Sequence, residues 1–414
     1  MKTRVVLILL FGLLAMPLQA EVRYRVAPIL APEGLNFWAT ASQGINDHGV
    51  IVGVVGYYTG ENEDLAINRG FTFNEGSHAV EIDWKPGHVS YATGINNAGQ
   101  IIVNAASVPR REPQPPGKLE IHRFTPGIGF EALGDFGGRE NEAEAINSAG
   151  QVTGYSNDPH DRSHAFRFTD GIGMEPIGAN FAGGSRGFAI NDQGWVAGAG
   201  DGHAFLFRDD LGTILIEPGR AYGINNRGTV VGISWISPLD RAFIYRDGEV
   251  TVVGPEDVTT FFADVNNYDV VVGIHWAQLS TKSLGAILWN ETEGIVSLTS
   301  QIAQDSGWRL GGAAAINDYG QITGEGVFEG QNIAYRLDPI PPKLSIRMSQ
   351  GNAVVSWAPT WPGLVLESTP SLSLPQWQPV PTGGSNQVEL PLPSESRYFR
   401  LNLEGIRGLC CAPE

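Results

Sequence analysis

The sequence predicts an all-β chain, a seven-bladed β-propeller closed by an N-terminal strand and followed by a small β-sandwich. Three observations carry this. A phrase of small, apolar, Asn, two free positions and Gly occurs seven times. It appears first as Gly44-Ile45-Asn46-Asp47-His48-Gly49 and then around Asn96, Asn147, Asn191, Asn225, Asn266 and Asn317. The successive asparagines stand 50, 51, 44, 34, 41 and 51 residues apart, the period of a propeller blade or similar array. Between them lie only strand signals and turn residues.

Each unit reads as four strands, a to d. Strand a ends at the Ile-Asn step. Strand b is a β-branched run such as Val50-Ile51-Val52 or Val270-Val271-Val272, usually closed by Gly (Gly53, Gly154, Gly198, Gly232, Gly273, Gly324) where a neighbouring backbone comes close. Strand c carries Ala-Phe-x-aromatic, as in His164-Ala165-Phe166-Arg167-Phe168 and His203-Ala204-Phe205-Leu206-Phe207. Strand d is short and alternating, as in Met174 to Gly178. Asn first and Gly fourth is the preference of a type I turn, so the seven asparagines read as turn chemistry. The seventh unit has no strand d after Ala334-Tyr335-Arg336-Leu337. Tyr24 to Leu30 alternates like one and is expected to complete it, which removes exposed sheet edges.

Around this array, residues 1–20 read as a secretory signal peptide: Lys2 and Arg4, an apolar run from Val5 to Ala15, and a small-residue cleavage site at Ala20. The propeller spans 21–338 and a Pro-rich linker 339–342. A sandwich with Trp357 in its core spans 343–404, and a loose tail 405–414. Both cysteines, Cys410 and Cys411, sit in that tail, as a free, intermolecular or strained vicinal pair. The formal charge of −17 argues against nucleic acid and anionic lipid as partners. No stretch after the leader is long and apolar enough to span a bilayer. The expectation is a monomer, secreted, periplasmic or at the cell surface.

The Gly/Ala-Ile-Asn-x-x-Gly and His-Ala-Phe units resemble the HAF repeats of bacterial extracellular proteins over roughly residues 30–337. Residues 343–404 are similar to short fibronectin type III-like modules. The resemblance implies export and a propeller-like fold. It implies no settled activity, so no catalytic residue carries over.

Loop lengths give a direction. The a–b and c–d turns are tight, while the b–c connections are long and variable, so one face is regular and the other elaborated. Tyr57, Tyr58, Tyr155, Trp235 and Trp276 start b–c loops, and Trp84 and Trp308 lie in d–a connections. Such rings suit stacking on sugars; their other reading is packing between blades. The sixth unit departs from the phrase with Asp264, Asp269, His275 and Trp276, read as part of the candidate ligand site or as drift in one repeat. No zinc, nucleophile-elbow or phosphate-loop motif occurs, and no catalytic residue, metal or cofactor is assigned. Loop carboxylates (Glu61, Glu63, Asp64, Asp158, Asp161, Asp240) leave a composite active site open. The sequence thus points to recognition of a glycan or extracellular protein on the elaborated face. The alternatives are a glycosidase or lyase on the same disk, or an adhesive envelope component.

Overall fold

A computed structural model describes residues 21–410 except 60–64, 77, 84–87, 107–117, 179–180, 236–238, 277–282, 392–395 and 405–407, with the backbone alone at 59, 65–66 and 283–284. The signal peptide, Trp84, Cys411, Glu61, Glu63 and Asp64 lie outside the described residues. The chain is all-β; among the described residues the one helical element is a 3-10 turn at Leu298–Gln301. No described helix is long and apolar enough to cross a membrane.

Antiparallel four-stranded units follow one another. Their strands a to d are Phe37–Ile45, Ile51–Thr59, Leu65–Phe73 and Val80–Glu81 in the first unit. The second holds Ser90–Ile95, Ile101–Ala106, Leu119–Thr125 and Gly129–Ala132; the third Asn141–Ile146, Val152–Asn157, Ser163–Thr169 and Gly173–Pro176. The fourth is Ser185–Ile190, Val196–Gly200, His203–Arg208 and the start of Gly212–Ile224. The end of that strand opens the fifth, with Val230–Ser234, Arg241–Arg246 and Glu249–Val253. The sixth is Thr259–Val265, Val271–Trp276, Ser283–Asn290 and Gly294–Ser297. The seventh is Trp308–Ile316, Ile322–Phe328 and Gln331–Pro339, with Tyr24–Ile29 paired beside Gln331–Pro339 from Tyr24↔Pro339 to Ile29↔Ala334. The shared strand Gly212–Ile224 explains the shortest repeat spacing, because the fourth unit's last strand runs into the fifth unit's first with no loop between them.

The turn asparagines do more than cap their own turns. Each Oδ1 accepts the backbone N–H groups two and four residues on, as Asn147 does from Ala149 and Gln151. Each Nδ2 donates to the main-chain carbonyl of the next unit's asparagine. The links run Asn46 to Asn96, Asn147, Asn191, Asn225, Asn266 and Asn317, and Asn317 returns to Asn46, all at 2.9–3.1 Å. All seven are buried. The residues beside them add a second, partial cycle: Asp318 N donates to Asp47 Oδ1 at 3.0 Å and Asp47 N to Asn97 Oδ1 at 2.9 Å.

The core lies between adjacent units. Strand c rings Phe71, Phe166, Phe205, Phe243 and Tyr335 are fully buried. The glycines that close strand b do face a close backbone, that of their own strand a: a Cβ on Gly154 would lie 2.0 Å from the Glu142 carbonyl oxygen.

After Pro339, two three-stranded sheets, Lys343–Ser349 with Asn352–Ala358 and Gln387–Pro391, and Gln378–Pro379 with Val365–Thr369 and Tyr398–Asn402, enclose Val355, Trp357, Leu366 and Val380. This part packs on the N-terminal strand. Trp361 meets Tyr24 edge-on at 5.5 Å and donates from Nε1 to the Ile340 carbonyl at 3.1 Å, while Glu21 accepts from Thr360 N at 2.7 Å. The expectation of a loose tail does not hold at 408–410. Leu409 and Cys410 are buried with Tyr24 and Trp361, and Asn266 Nδ2 donates to the Gly408 carbonyl at 2.9 Å. Cys410 is disulfide-bonded.

Candidate binding funnel

Every strand a carries a β-bulge three residues before its ring asparagine, at Gln43, Thr93, Glu144, Phe188, Tyr222, Ala263 and Ala314. A bulge leaves one residue unpaired and re-aims its side chain. Here all seven line one cavity of about 580 Å³ at the centre of the array. That volume is in the range of small-ligand sites. The equivalent positions two residues earlier are Ala41, Tyr91, Glu142, Arg186, Arg220, Phe261 and Gly312; of these Ala41, Phe261 and Gly312 also line the cavity.

The aromatic side is continuous. Phe188 meets Tyr222 at 4.9 Å and Tyr222 meets Phe261 at 4.7 Å between ring centroids. Carboxylates line the same space. Burial pushes Glu144 up to about 7; the charge of Glu142 adds to this and that of Arg186 opposes it. Asp264 is pushed up by burial, against the backbone N–H groups that Ile316 (2.9 Å) and Val265 (2.8 Å) donate to its two oxygens. A second cavity of about 510 Å³, sharing Phe188 with the first, is lined by Ser163, Ser185, Arg186, Asp201, Arg220 and Trp235. At the turn end the asparagine ring and its neighbours surround a third, polar hollow of about 390 Å³.

The structure divides the sequence candidates. Trp276 is exposed and lines the first cavity together with Asp264; Trp235 is exposed and lines the second. Tyr58 is exposed and lines neither of the two. Tyr57 is partly buried among apolar neighbours, its hydroxyl pushed up to about 12 by burial and by Glu81. Tyr155 and Trp308 are corrected to core positions. Tyr155 is 6% exposed beneath Arg186, and Trp308 is 8% exposed, stacked on Phe328 at 4.9 Å. His275 alternates away from Trp276 and lines neither of these two cavities, and burial lowers its pKa. Asp269 sits at the opposite end of the sixth unit, in the turn, and is not part of the funnel. Sequence reasoning missed the bulge positions. The legible signal is a column that changes from unit to unit, three residues before an asparagine that does not.

Among solved structures the chain is similar to β-propellers. The β-propeller domain of the Trilobed protease from Pyrococcus furiosus matches with a TM-score of 0.52 and 11% identity, over 73% of this chain and 94% of that one. Virginiamycin B lyase from Staphylococcus aureus matches at 0.43 and 10% identity over 76% and 99%. TolB from Acinetobacter baumannii matches at 0.35 and 12% over 55% and 53%. The first of these likenesses shows a β-propeller fold; at such identities none speaks to activity. No protein family and no curated protein matches the sequence.

Proposed function

We propose that this is an exported glycan-recognition protein: a seven-bladed propeller, sealed by its N-terminal strand, that receives a sugar chain in the funnel of its loop-rich face. The observation that carries the reading is the continuous wall of Phe188, Tyr222 and Phe261 on the cavity that Gln43, Thr93 and Glu144 also line. A pyranose offers an apolar C–H face to an aromatic plane and hydroxyls to amide, hydroxyl and carboxyl groups. Exposed Trp276 and Trp235 extend the stacking surface outward. Sealing is supported by the pairing of Tyr24–Ile29 with Gln331–Pro339 and by the return of the asparagine cycle from Asn317 to Asn46. Export is supported by the leader-like residues 1–20 and the HAF-like repeats. The fibronectin type III-like reading of 343–404, a spacer or attachment module, is supported by its two small sheets.

The test is a polysaccharide panel presented to residues 21–414, reading retention and new reducing ends or unsaturated products together. Retention without products, lost in Tyr222→Ala at unchanged melting temperature, is the expected result. Retention that survives both Tyr222→Ala and Trp276→Ala sinks the funnel reading. New products would favour the second reading, a carbohydrate-active enzyme, for which the specific observation is Glu144. A buried carboxyl titrating at about 7 holds its proton where a general acid needs it.

A further inference from the structure

We propose that the second cavity is a subsite for the carboxylate of an acidic sugar, so that the preferred glycan contains uronate residues. This rests on the glycan reading above and adds the ligand's charge.

Arg186 and Arg220 occupy the same position of neighbouring units, five residues before Asn191 and Asn225, and both line the cavity. Each guanidinium lies over an aromatic ring, Arg186 over Tyr155 at 3.9 Å and Arg220 over Trp235 at 5.7 Å. Stacking fixes the plane of the group and leaves its N–H edges for a ligand. Arg220 donates one bond, to the Tyr222 hydroxyl at 3.4 Å. Among the described residues neither arginine is ion-paired, although acidic residues outnumber basic ones 44 to 27. Arg123, Arg167, Arg208 and Arg227, by contrast, each hold a carboxylate at 2.7–3.0 Å.

The acids nearby are committed elsewhere. Asp201 lines the cavity, but its oxygens accept the backbone N–H groups of Ala182 and Gly183. Glu142, whose field reaches Arg186, accepts from the Tyr155 hydroxyl at 3.3 Å, and Glu217 accepts from Ser234 at 3.3 Å. Burial holds much of Glu144 protonated near neutral pH. Two oriented guanidinium forks beside Ser163 and Ser185 suit a planar carboxylate, which takes paired N–H donors. Phe188 lines both cavities, so one sugar against the aromatic wall places the next toward the arginines. The overall charge of −17 repels a polyuronate at long range, but beyond about 10 Å salt screens it, and contact decides affinity.

The experiment is calorimetric titration of residues 21–414 with galacturonate, glucuronate, mannuronate and guluronate tetrasaccharides. Each is used as the free acid and as its methyl ester, beside a neutral glucan and a sulfated tetrasaccharide. At least one free acid is expected to bind about tenfold or more tightly than its ester. Arg186→Gln and Arg220→Gln should each abolish the preference for the free acid over its ester at unchanged melting temperature. Arg186→Lys, which keeps the charge and loses the fork, should fall between. Acid and ester of equal affinity, indifferent to both variants, would overturn the subsite and leave glycan recognition standing. Binding of the sulfated sugar in place of every uronate would overturn the carboxylate assignment. No binding of any sugar would remove both.

Discussion

Thr229 donates from Oγ1 to Asp269 Oδ1 at 2.7 Å across the boundary between the fifth and sixth units, and the same oxygen accepts Asn225 Nδ2 at 2.8 Å. This pair replaces a device used elsewhere. In the second, third and seventh units a glutamine follows the turn, and Gln100, Gln151 and Gln321 accept the second N–H of their ring asparagine at 2.8 Å. Each packs against the next unit's turn glycine. A Cβ on Gly150, Gly194 or Gly49 would lie 3.0 Å from the glutamine Oε1. Thr229 is too short to reach, and Asp269, at φ +60°, stands where the neighbour has glycine and supplies the missing acceptor. The Asp269 departure in the sixth unit is thus a repair of the fifth.

Asp269→Gly should therefore cost about 1–3 kcal/mol in denaturant unfolding, since it removes a partly buried acceptor and leaves Asn225 Nδ2 with only its bond to the Asn266 carbonyl. Adding Thr229→Gln should recover most of that, restoring the arrangement of the third unit; equal losses in single and double variants would refute the pairing. Burial pushes Asp269 up, but bonds from Thr229, Asn225 and Arg227 and the charge of Arg246 outweigh it and hold the folded pKa low. A depressed acid stabilises above its unfolded pKa of about 4 and loses that contribution as pH falls through the folded value. The variant's deficit should accordingly shrink in strong acid.

The ring asparagines offer a sharper probe, because donor and acceptor ends have different partners. Asn147→Ala removes bonds to Gln151 Oε1 and the Asn191 carbonyl and from two backbone N–H groups, at a cost of about 2–4 kcal/mol. Asn147→Asp keeps the acceptor end but sets a carboxylate oxygen against the Asn191 carbonyl. Burial raises its folded pKa, so this variant should gain stability on acidification, where a protonated carboxyl donates again. A pH-independent deficit in thermal melts would mean that the inter-unit bond carries no weight.

These relationships mark what was and was not legible. Asn-x-x-Gly and period-2 strands are local chemistry, so units, turns and the strand-like Tyr24–Ile29 can be read from the chain. Which turn packs on which is non-local, and spacing does not show that Asn147 Nδ2 reaches Asn191. The funnel is hidden for a different reason. A bulge shifts the inside–outside alternation by one, so Glu144 and Tyr222 cannot be assigned to the channel by counting along a strand. Aromatics at strand ends are ambiguous as well: Trp276 is exposed and Trp308, at the start of its strand, is stacked in the core.

The docked tail extends the same logic. In the sixth unit Val270 follows the turn and offers no side-chain acceptor, and the Gly408 carbonyl takes the second N–H of Asn266. Leu409 fills the space beside Gly320, its main chain 2.5 Å from where a Cβ would be, and packs with Tyr24 and Trp361. A chain ending at residue 407 should lose several kcal/mol, about the cost of one large buried side chain and one buried bond. Hydrogen exchange should locate the loss in Tyr24–Ile29 and the Asn266 turn. Unaltered protection there would show the tail to be a passenger.

Glu144 gives the prediction that joins stability to function. An acid whose folded pKa is raised binds more protons folded than unfolded. Stability must then fall as pH rises from the unfolded value of about 4.3 toward the folded value near 7, and stay low above it. Glu144→Gln removes the titrating proton and keeps the shape. The variant should match the parent below about pH 4 and exceed it in melting temperature at pH 8, the gap opening between those limits. For the ligand the sign is the same: an acidic sugar meets less repulsion when Glu144 is protonated. Affinity for it should weaken from pH 5 to pH 8 in the parent and change little in Glu144→Gln. Parallel pH profiles in both proteins would place the titrating group elsewhere and return Glu144 to the wall of the funnel as a neutral spacer.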